Sequence, residues 1–250
     1  MIIRTVSASH GWRWIALGAT IFRRNPALWM ALIAILFVGS RVLFALPLVG
    51  VIAVLVAPNF LAGLAHGAQA LEQGKPLRLG YLASGFLKSA PQLITIGGVS
   101  LIGQFLMVMA MVLVGGEAIG GISKALTGGP PTPEAIDAMR AALPRMMMAV
   151  IVGIGISLPL VMAAWFAPLL VFFDNLSPWS ALVLSLWACL KNALPLLVYG
   201  VAVLVPMMVL TPLSLALHQP DLGLWLLAPV LVPSIYASYR DLFQRAPAPA

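Results

Sequence analysis

The sequence predicts an all-α membrane protein: a polytopic transmembrane helical bundle of about six spans, with two interfacial amphipathic helices. Of its 250 residues, 62% are hydrophobic and only 8% are charged, and the mean hydropathy is +1.04. A soluble domain usually carries about 25% charged residues, and a soluble protein of this size could not bury so much apolar surface. Lipid is therefore the solvent for most of the chain.

Six charge-poor windows are long enough to cross a bilayer, which takes about 20 apolar residues. Arg41 is the only charge in the first window and lies near its far end, where its side chain can reach the membrane surface. No stretch is long and polar enough for a soluble domain, so residues 1–250 are predicted to form a single integral membrane domain. The predicted spans cover about residues 26–44, 48–71, 91–114, 146–172, 194–216 and 222–240.

Residues 9–25 precede the first span and are predicted to form an amphipathic helix in the headgroup layer. Trp12 begins an apolar stripe at helical spacing, whereas Arg13 and Arg24 lie on a polar stripe. Tryptophan at the apolar edge and arginine on the polar side are typical of interfacial helices. The alternative is a leader that packs on the next helix.

A second interfacial helix is predicted at residues 177–191. Ser177 suits the N-cap and Pro178 the first helical position. Only 16 residues, 175–190, separate the flanking charges, so an interfacial or partly buried helix fits better than a span. The alternative is a seventh span. The predicted interfacial anchors of the two helices are Trp12, Arg13, Arg24, Trp179, Trp187 and Lys191.

The basic residues predict which side of the membrane each segment faces. With six spans, ten of the 14 lysines and arginines lie on one side and four on the other. Cytoplasmic segments carry the excess of Lys and Arg, so both termini are predicted to be cytoplasmic. The larger group is Arg4, Arg13, Arg23, Arg24, Lys75, Arg78, Lys88, Lys191, Arg240 and Arg245. The smaller group is Arg41, Lys124, Arg140 and Arg145.

Two basic-asparagine pairs, Arg24-Asn25 and Lys191-Asn192, indicate an internal repeat. A tryptophan lies 12 residues before the basic residue in each copy, and each pair precedes two predicted spans. Both copies begin on the same side of the membrane, so the repeat is parallel and gives no support to an inverted-repeat transporter. Chance similarity in an apolar chain is the alternative.

Three blocks carry a resemblance: GWRWIALGATIFRRNPALW, WFAPLLVFFDNLSPWSALVLSLWACLKN and SIYASYRDLF. With them the chain resembles, over nearly its whole length, an uncharacterised family of six-span proteobacterial inner-membrane proteins. That family is distantly similar to the membrane domain fused to some glycerophosphodiester phosphodiesterases. The resemblance implies a bacterial inner-membrane location and a six-helix bundle. It brings no catalytic residues, and the soluble phosphodiesterase domain with its metal ligands is absent from this sequence.

The sequence offers little for catalysis, so we predict a protein that is not an enzyme and has no catalytic, metal or cofactor-binding residues. Its seven acidic residues and three histidines are scattered, whereas a metal hydrolase needs several converging ligands. No HExxH pattern, nucleophile elbow or phosphate loop occurs. Cys189, the one cysteine, is expected to pack as a small apolar residue. The net charge of +7 comes from basic residues beside apolar segments, which predicts contact with the lipid bilayer and anionic phospholipid headgroups and no nucleic acid.

Four polar residues of the predicted spans form a candidate intramembrane site: Arg41, Asn59, His66 and Gln104. Such residues are costly in lipid and often functional, although each also suits a packing role. The favoured function is a non-enzymatic scaffold or accessory protein for lipid or envelope components, with a membrane-protein partner or a second copy of the chain as a further contact. The alternative is a transporter or permease component, which the prolines and the repeat favour. An intramembrane enzyme has the least support.

Overall fold

The computed structural model describes residues 2–45, 47–127, 133–219 and 221–243. The side chains of 47–49, 117–127, 134, 135 and 138 are also outside the description. Lys124 and Arg245, two residues of the charge count above, therefore lie outside the described side chains. Within the described residues, every regular element is an α-helix.

Eight helices run through the described part of the chain. They are α1 His10–Arg23, α2 Pro26–Phe44, α3 Pro47–Glu72, α4 Tyr81–Thr127, α5 Pro133–Asp174, α6 Pro178–Lys191, α7 Ala193–Ala216 and α8 Leu222–Phe243. Six of them, α2 to α5 and α7 and α8, are long and apolar enough to cross a membrane. The predicted fold class, an all-α polytopic bundle with six spans, is confirmed. α1 and α6 have 14 residues each, which is about 21 Å of helix against a hydrocarbon core of about 30 Å.

Local signals fix several helix starts. Asn25 Oδ1 accepts a hydrogen bond from the Leu28 N–H at 3.2 Å, and Pro26 follows as the first residue of α2. Ser177 Oγ accepts from the Ser180 N–H at 3.3 Å at the start of α6. Each side-chain oxygen satisfies a backbone donor that has no partner inside its helix. The predicted cap at Ser177 is confirmed.

α4 contains a break near the predicted start of the third span. Ser89 has the non-helical angles φ −145° and ψ 33°, two residues before Pro91. Proline has no N–H to donate to the carbonyl oxygen four residues earlier, and its ring crowds that carbonyl, so the helix is interrupted at this turn. The kink thus separates the first turns of α4, up to Lys88, from its apolar remainder. α5, by contrast, is one helix from Pro133 through the fourth span to Asp174.

The chain divides into two compact units: Met1–Gly98 with Met162–Ala250, and Val99–Val161. In the smaller unit, small residues let two helices approach. A Cβ on Gly153 would lie 2.6 Å from Met111 Sδ, and one on Gly103 would lie 2.6 Å from Leu160 Cδ1. Most large side chains in this unit are exposed, Leu113 by 80%. An apolar surface of this kind suits lipid as the solvent.

In the larger unit, α1 packs against α7 and α8. Trp14 is fully buried, and a Cβ on Gly18 would lie 2.6 Å from the Val230 carbonyl oxygen. The buried face of α1 is Gly11, Trp14, Gly18 and Ile21. The apolar stripe predicted to begin at Trp12 lies beside this face and is partly exposed. The two glycines of this face, Gly11 and Gly18, allow α1 to approach α7 and α8 closely.

α6 packs against α5 through its small residues. Ser185 Oγ donates to the Met162 carbonyl oxygen at 2.7 Å and accepts from the Phe166 N–H at 2.9 Å. These two backbone groups are four residues apart, the spacing of partners in a helix. The Ser185 hydroxyl thus bridges them and joins the two helices. Trp179 and Trp187 point the other way and are 73% and 54% exposed.

Candidate functional site

An apolar cavity of about 560 Å³ lies within the larger unit, between α2, α3 and α8. α2 and α3 contribute most of its lining, α8 contributes Trp225, Ala228 and Val232, and α4 adds Leu82. Ser40 and Trp225 are the lining residues with polar side-chain atoms. A cavity of this size and character is in the range of small-molecule and lipid sites.

Small side chains keep this space open. Gly39 lines the cavity on α2, and a Cβ built there would meet nothing within 4 Å. Ser40 Oγ donates to the Phe37 carbonyl oxygen at 2.8 Å, so its hydroxyl is already used within the helix. The cavity wall therefore has almost no polar group without a hydrogen-bond partner, which suits an apolar guest.

An ion pair lies beside the cavity, where α2 ends and α8 begins. Arg41 Nη2 is 2.9 Å from Asp221 Oδ2, and both side chains are partly exposed. The Arg41 guanidinium also lies over the Phe37 ring, 5.1 Å from its centroid. The Phe37 and Trp225 rings meet edge to face at 5.3 Å. The aromatic pair thus connects the guanidinium to the cavity wall.

A polar cluster gathers around Asp241 in the last turn of α8. Asp241 Oδ2 accepts from Trp14 Nε1 at 2.9 Å and lies 2.6 Å from His10 Nδ1. Arg4 Nη1 lies 3.4 Å from Asp241 Oδ1. A backbone hydrogen bond adds to this contact, because the Arg4 N–H donates to the Leu242 carbonyl oxygen at 3.0 Å. The cluster fixes α1 and the segment before it to α8.

The other acidic side chains of this unit also have partners. Glu72 pairs with Arg240 and accepts from Tyr236 Oη at 3.1 Å. Asp174 accepts from Tyr239 Oη at 2.5 Å. These contacts join the ends of α3 and α5 to α8. These carboxylates therefore take part in helix packing.

The predicted interfacial anchors have two kinds of environment. Trp12, Trp179 and Trp187 are largely exposed on α1 and α6. Arg13 and Lys191 are exposed as well. Arg24, by contrast, donates from Nη1 to the Leu71 carbonyl oxygen at 2.5 Å. It therefore caps the end of α3, which sequence reasoning missed because the contact joins residues 47 positions apart.

The four residues of the predicted intramembrane polar site are not brought together. No hydrogen bond or ion pair joins any two of them in the described part of the chain. Asn59 is fully buried and donates from Nδ2 to the Gly85 carbonyl oxygen at 3.5 Å. His66 packs edge to face on Tyr81 with ring centroids 4.8 Å apart. Gln104 is exposed in the smaller unit, and Arg41 borders the cavity.

Sequence reasoning missed the cavity and the partner of Arg41. Both depend on residues from α2 and α8, about 180 positions apart. The one local sequence feature that points to the cavity is Gly39-Ser40 inside an apolar helix. Small residues at such a position indicate either close helix packing or open space. Across the described residues, no three His, Cys, Asp or Glu side chains come together in a way that could hold a metal ion.

Cys189 is buried in the face of α6 that packs on α5. Its thiol donates to the Met162 carbonyl oxygen at 3.4 Å. Burial raises its pKa to about 12, against a smaller opposing effect of the Ser185 hydrogen bond. A thiol in this environment is unreactive at neutral pH.

Comparison with known proteins gives one relative to report. The chain is 26% identical, over 254 aligned residues, to a Burkholderia thailandensis protein named probable inner membrane protein. The alignment covers 95% of this chain and 92% of the relative. No family model and no solved structure matches. With its six apolar helices, the chain is an integral membrane protein similar to a bacterial inner-membrane protein.

Proposed function

We propose that the protein is a non-enzymatic accessory protein of the bacterial inner membrane that holds a phospholipid by one acyl chain. The cavity between α2, α3 and α8 carries this proposal. Its lining is apolar almost throughout, and apolar cavities of this kind take apolar guests and exclude water. Polar solutes would have to shed their hydration without gaining hydrogen-bond partners.

The surrounding architecture supports a role at the membrane surface. α1 and α6 are too short to span, and each turns tryptophan outward from the protein. Tryptophan and basic side chains suit the headgroup region. We place both helices at the cytoplasmic interface, on anionic headgroups, with both termini inside. The charge bias supports this orientation, and the similarity to an inner-membrane protein supports the choice of membrane.

Filling the cavity tests the proposal. Gly39→Trp adds a large side chain to the cavity at a position where a Cβ meets no protein atom. Gly200→Trp is a matched control, because a Cβ on Gly200 also meets nothing within 4 Å and Gly200 does not line the cavity. Native mass spectrometry of the full chain from lipid nanodiscs measures retained phospholipid.

We expect Gly39→Trp to lower retained phospholipid several-fold and Gly200→Trp to leave it unchanged. Equal retention by the wild type and both variants would mean that the cavity holds no lipid, and would refute the proposal.

A transporter or permease component is the second candidate. Pro206, Pro212, Pro229 and Pro233 lie inside α7 and α8, and prolines allow helices to bend. A lipid transporter would also use an apolar cavity. Vesicles that contain the protein and a fluorescent phospholipid in one leaflet distinguish a transporter from an accessory protein. Transfer of the phospholipid between leaflets that depends on the protein and falls in Gly39→Trp favours transport. Retention of phospholipid without transfer favours the accessory role.

A further inference from the structure

The charges beside the cavity point to the kind of lipid that it holds. We propose that Arg41 and Asp221 together bind a zwitterionic phospholipid with a primary ammonium group, phosphatidylethanolamine being the simplest. The phosphate binds Arg41, the ammonium binds Asp221, and an acyl chain lies in the cavity. This inference rests on the proposed function, since it assigns the headgroup of the lipid whose chain fills the cavity.

The position of the pair fits this assignment. Arg41 immediately follows the cavity-lining residues Gly39 and Ser40, and two further lining residues, Leu43 and Phe44, come next in α2. Asp221 directly precedes α8, whose first turn carries Trp225. The two charges therefore lie beside the cavity at the end of these helices, where a lipid headgroup meets water while its chain runs along the helices.

Arg41 has unused hydrogen-bonding capacity. A guanidinium carries five N–H donors. In the described structure, Nη2 lies 2.9 Å from Asp221 Oδ2 as an ion pair, but neither Nη2 nor Nε has a hydrogen-bond acceptor. Arginine binds phosphate oxygens with two parallel hydrogen bonds. A phosphate beside Arg41 would give these donors charged acceptors.

The ion pair itself can be exchanged. Both side chains are more than a third exposed, and exposed ion pairs of this kind contribute little to stability. Separating them to admit a headgroup therefore costs little when each charge gains a new partner. A zwitterion replaces both partners at once, whereas an anionic headgroup without an ammonium would leave the Asp221 carboxylate facing a second negative charge.

Selectivity has to come from these charges. An acyl chain that moves from the bilayer into the cavity leaves one apolar environment for another, so hydrophobic burial provides almost no driving force. The Phe37 ring lies against one face of the Arg41 guanidinium, and Trp225 packs edge to face on Phe37. Headgroup contacts are therefore the main source of discrimination between lipids.

Competition between defined lipids tests the inference. The full chain in nanodiscs is offered equal amounts of phosphatidylethanolamine, phosphatidylcholine, phosphatidylglycerol and diacylglycerol of one chain composition, and native mass spectrometry measures each retained lipid. We expect the wild type to retain phosphatidylethanolamine several-fold over the others. Phosphatidylcholine falls behind because its quaternary ammonium has no N–H to donate to Asp221.

Two substitutions assign the roles. Asp221→Asn should abolish or reverse the preference for phosphatidylethanolamine over phosphatidylglycerol while phospholipid retention persists. Arg41→Gln should lower every phospholipid to the level of diacylglycerol. Asp137→Asn is the matched control, because Asp137 and Arg140 form an exposed ion pair elsewhere, at 3.5 Å. This control should retain the wild-type preference.

The failures are distinguishable. If Gly39→Trp lowers lipid retention but the wild type shows no headgroup preference, the cavity does hold a lipid and only the headgroup assignment is wrong. If the preference is unchanged in Asp221→Asn and Arg41→Gln, the pair plays no part in recognition. The midpoint of thermal unfolding is measured for each variant as a control for misfolding. The inference would be overturned if the loss of bound lipid only followed the loss of stability and the swapped pair R41D/D221R restored lipid binding in full. That result would show that the ion pair has a structural role only.

Discussion

The side-chain amide of Asn192 accepts a hydrogen bond from the Val6 backbone N–H at 3.0 Å. The same amide donates to the Arg4 and Ala188 carbonyl oxygens, each at 3.0 Å. Asn192 is fully buried between α6 and α7. Asn192 therefore helps to hold the segment of residues 2–9 in place, together with the contacts of Arg4 to Asp241 and Leu242.

Replacing Asn192 with alanine should release this segment. The change removes three hydrogen bonds and leaves the Val6 N–H and the Arg4 carbonyl without their partners, which costs roughly 1–3 kcal/mol. We expect faster proteolytic cleavage within residues 2–9 and a lower free energy of unfolding. Asn25→Ala is the control, because it removes a helix cap and leaves the segment in place. Unchanged cleavage in Asn192→Ala would refute the role of this contact.

Ser185→Ala should weaken the joint between α5 and α6. The Ser185 hydroxyl is buried and bonds both Met162 and Phe166, so its loss should lower the free energy of unfolding by about 1–3 kcal/mol. Ser180→Ala, on the exposed side of the same helix, should have a much smaller effect. Unfolding in mixed detergent measures both. Equal effects of the two changes would contradict the bridging role of Ser185.

Cys189 should resist alkylation in the folded protein. Its pKa is raised to about 12 by burial, against about 8.5 for an ordinary thiol. Burial favours the neutral thiol, so its reactive thiolate stays scarce through pH 9, where an exposed cysteine is mostly ionised. Maleimide labelling followed by mass measurement should give little product at pH 8 and full labelling after unfolding in SDS. Rapid labelling of the folded protein would contradict this environment.

The orientation is open to a direct test. The excess of basic residues predicts cytoplasmic termini for a six-span chain. A phosphatase fused after residue 243 should be inactive, because that enzyme needs the periplasm to form its disulfides, and a fluorescent protein at the same point should be bright. An active phosphatase fusion would place the C-terminal end outside and reverse the proposed surface for α1 and α6.

Local chemistry made part of this structure predictable. Charge-poor windows predicted six long apolar helices, and Ser177 with Pro178 predicted the start of α6, because both depend on residues close together in sequence. The short length of α6 also followed from its flanking charges. In the order of helices, the 14-residue helices α1 and α6 each precede two long apolar helices, whereas the internal repeat itself stays a prediction.

The candidate site was less predictable for a physical reason. Arg41 reads as an isolated charge near a helix end, and Asp221 as part of a turn; their pairing exists only once α2 and α8 are neighbours. The two asparagines of the apparent repeat also differ in a way that sequence cannot show. Asn25 caps its own helix, whereas the Asn192 side chain bonds a distant segment. The ion pair of Arg41 and the different roles of the two asparagines both depend on tertiary contacts.

The docking of residues 2–9 has a consequence for how the protein is made. This segment is synthesised well before its partners Asn192, Asp241 and Leu242. It therefore stays undocked until the helices that carry or flank these partners have been made. The larger unit therefore completes its assembly only after α8 has been translated. A chain truncated before that helix cannot bury Trp14 or dock residues 2–9.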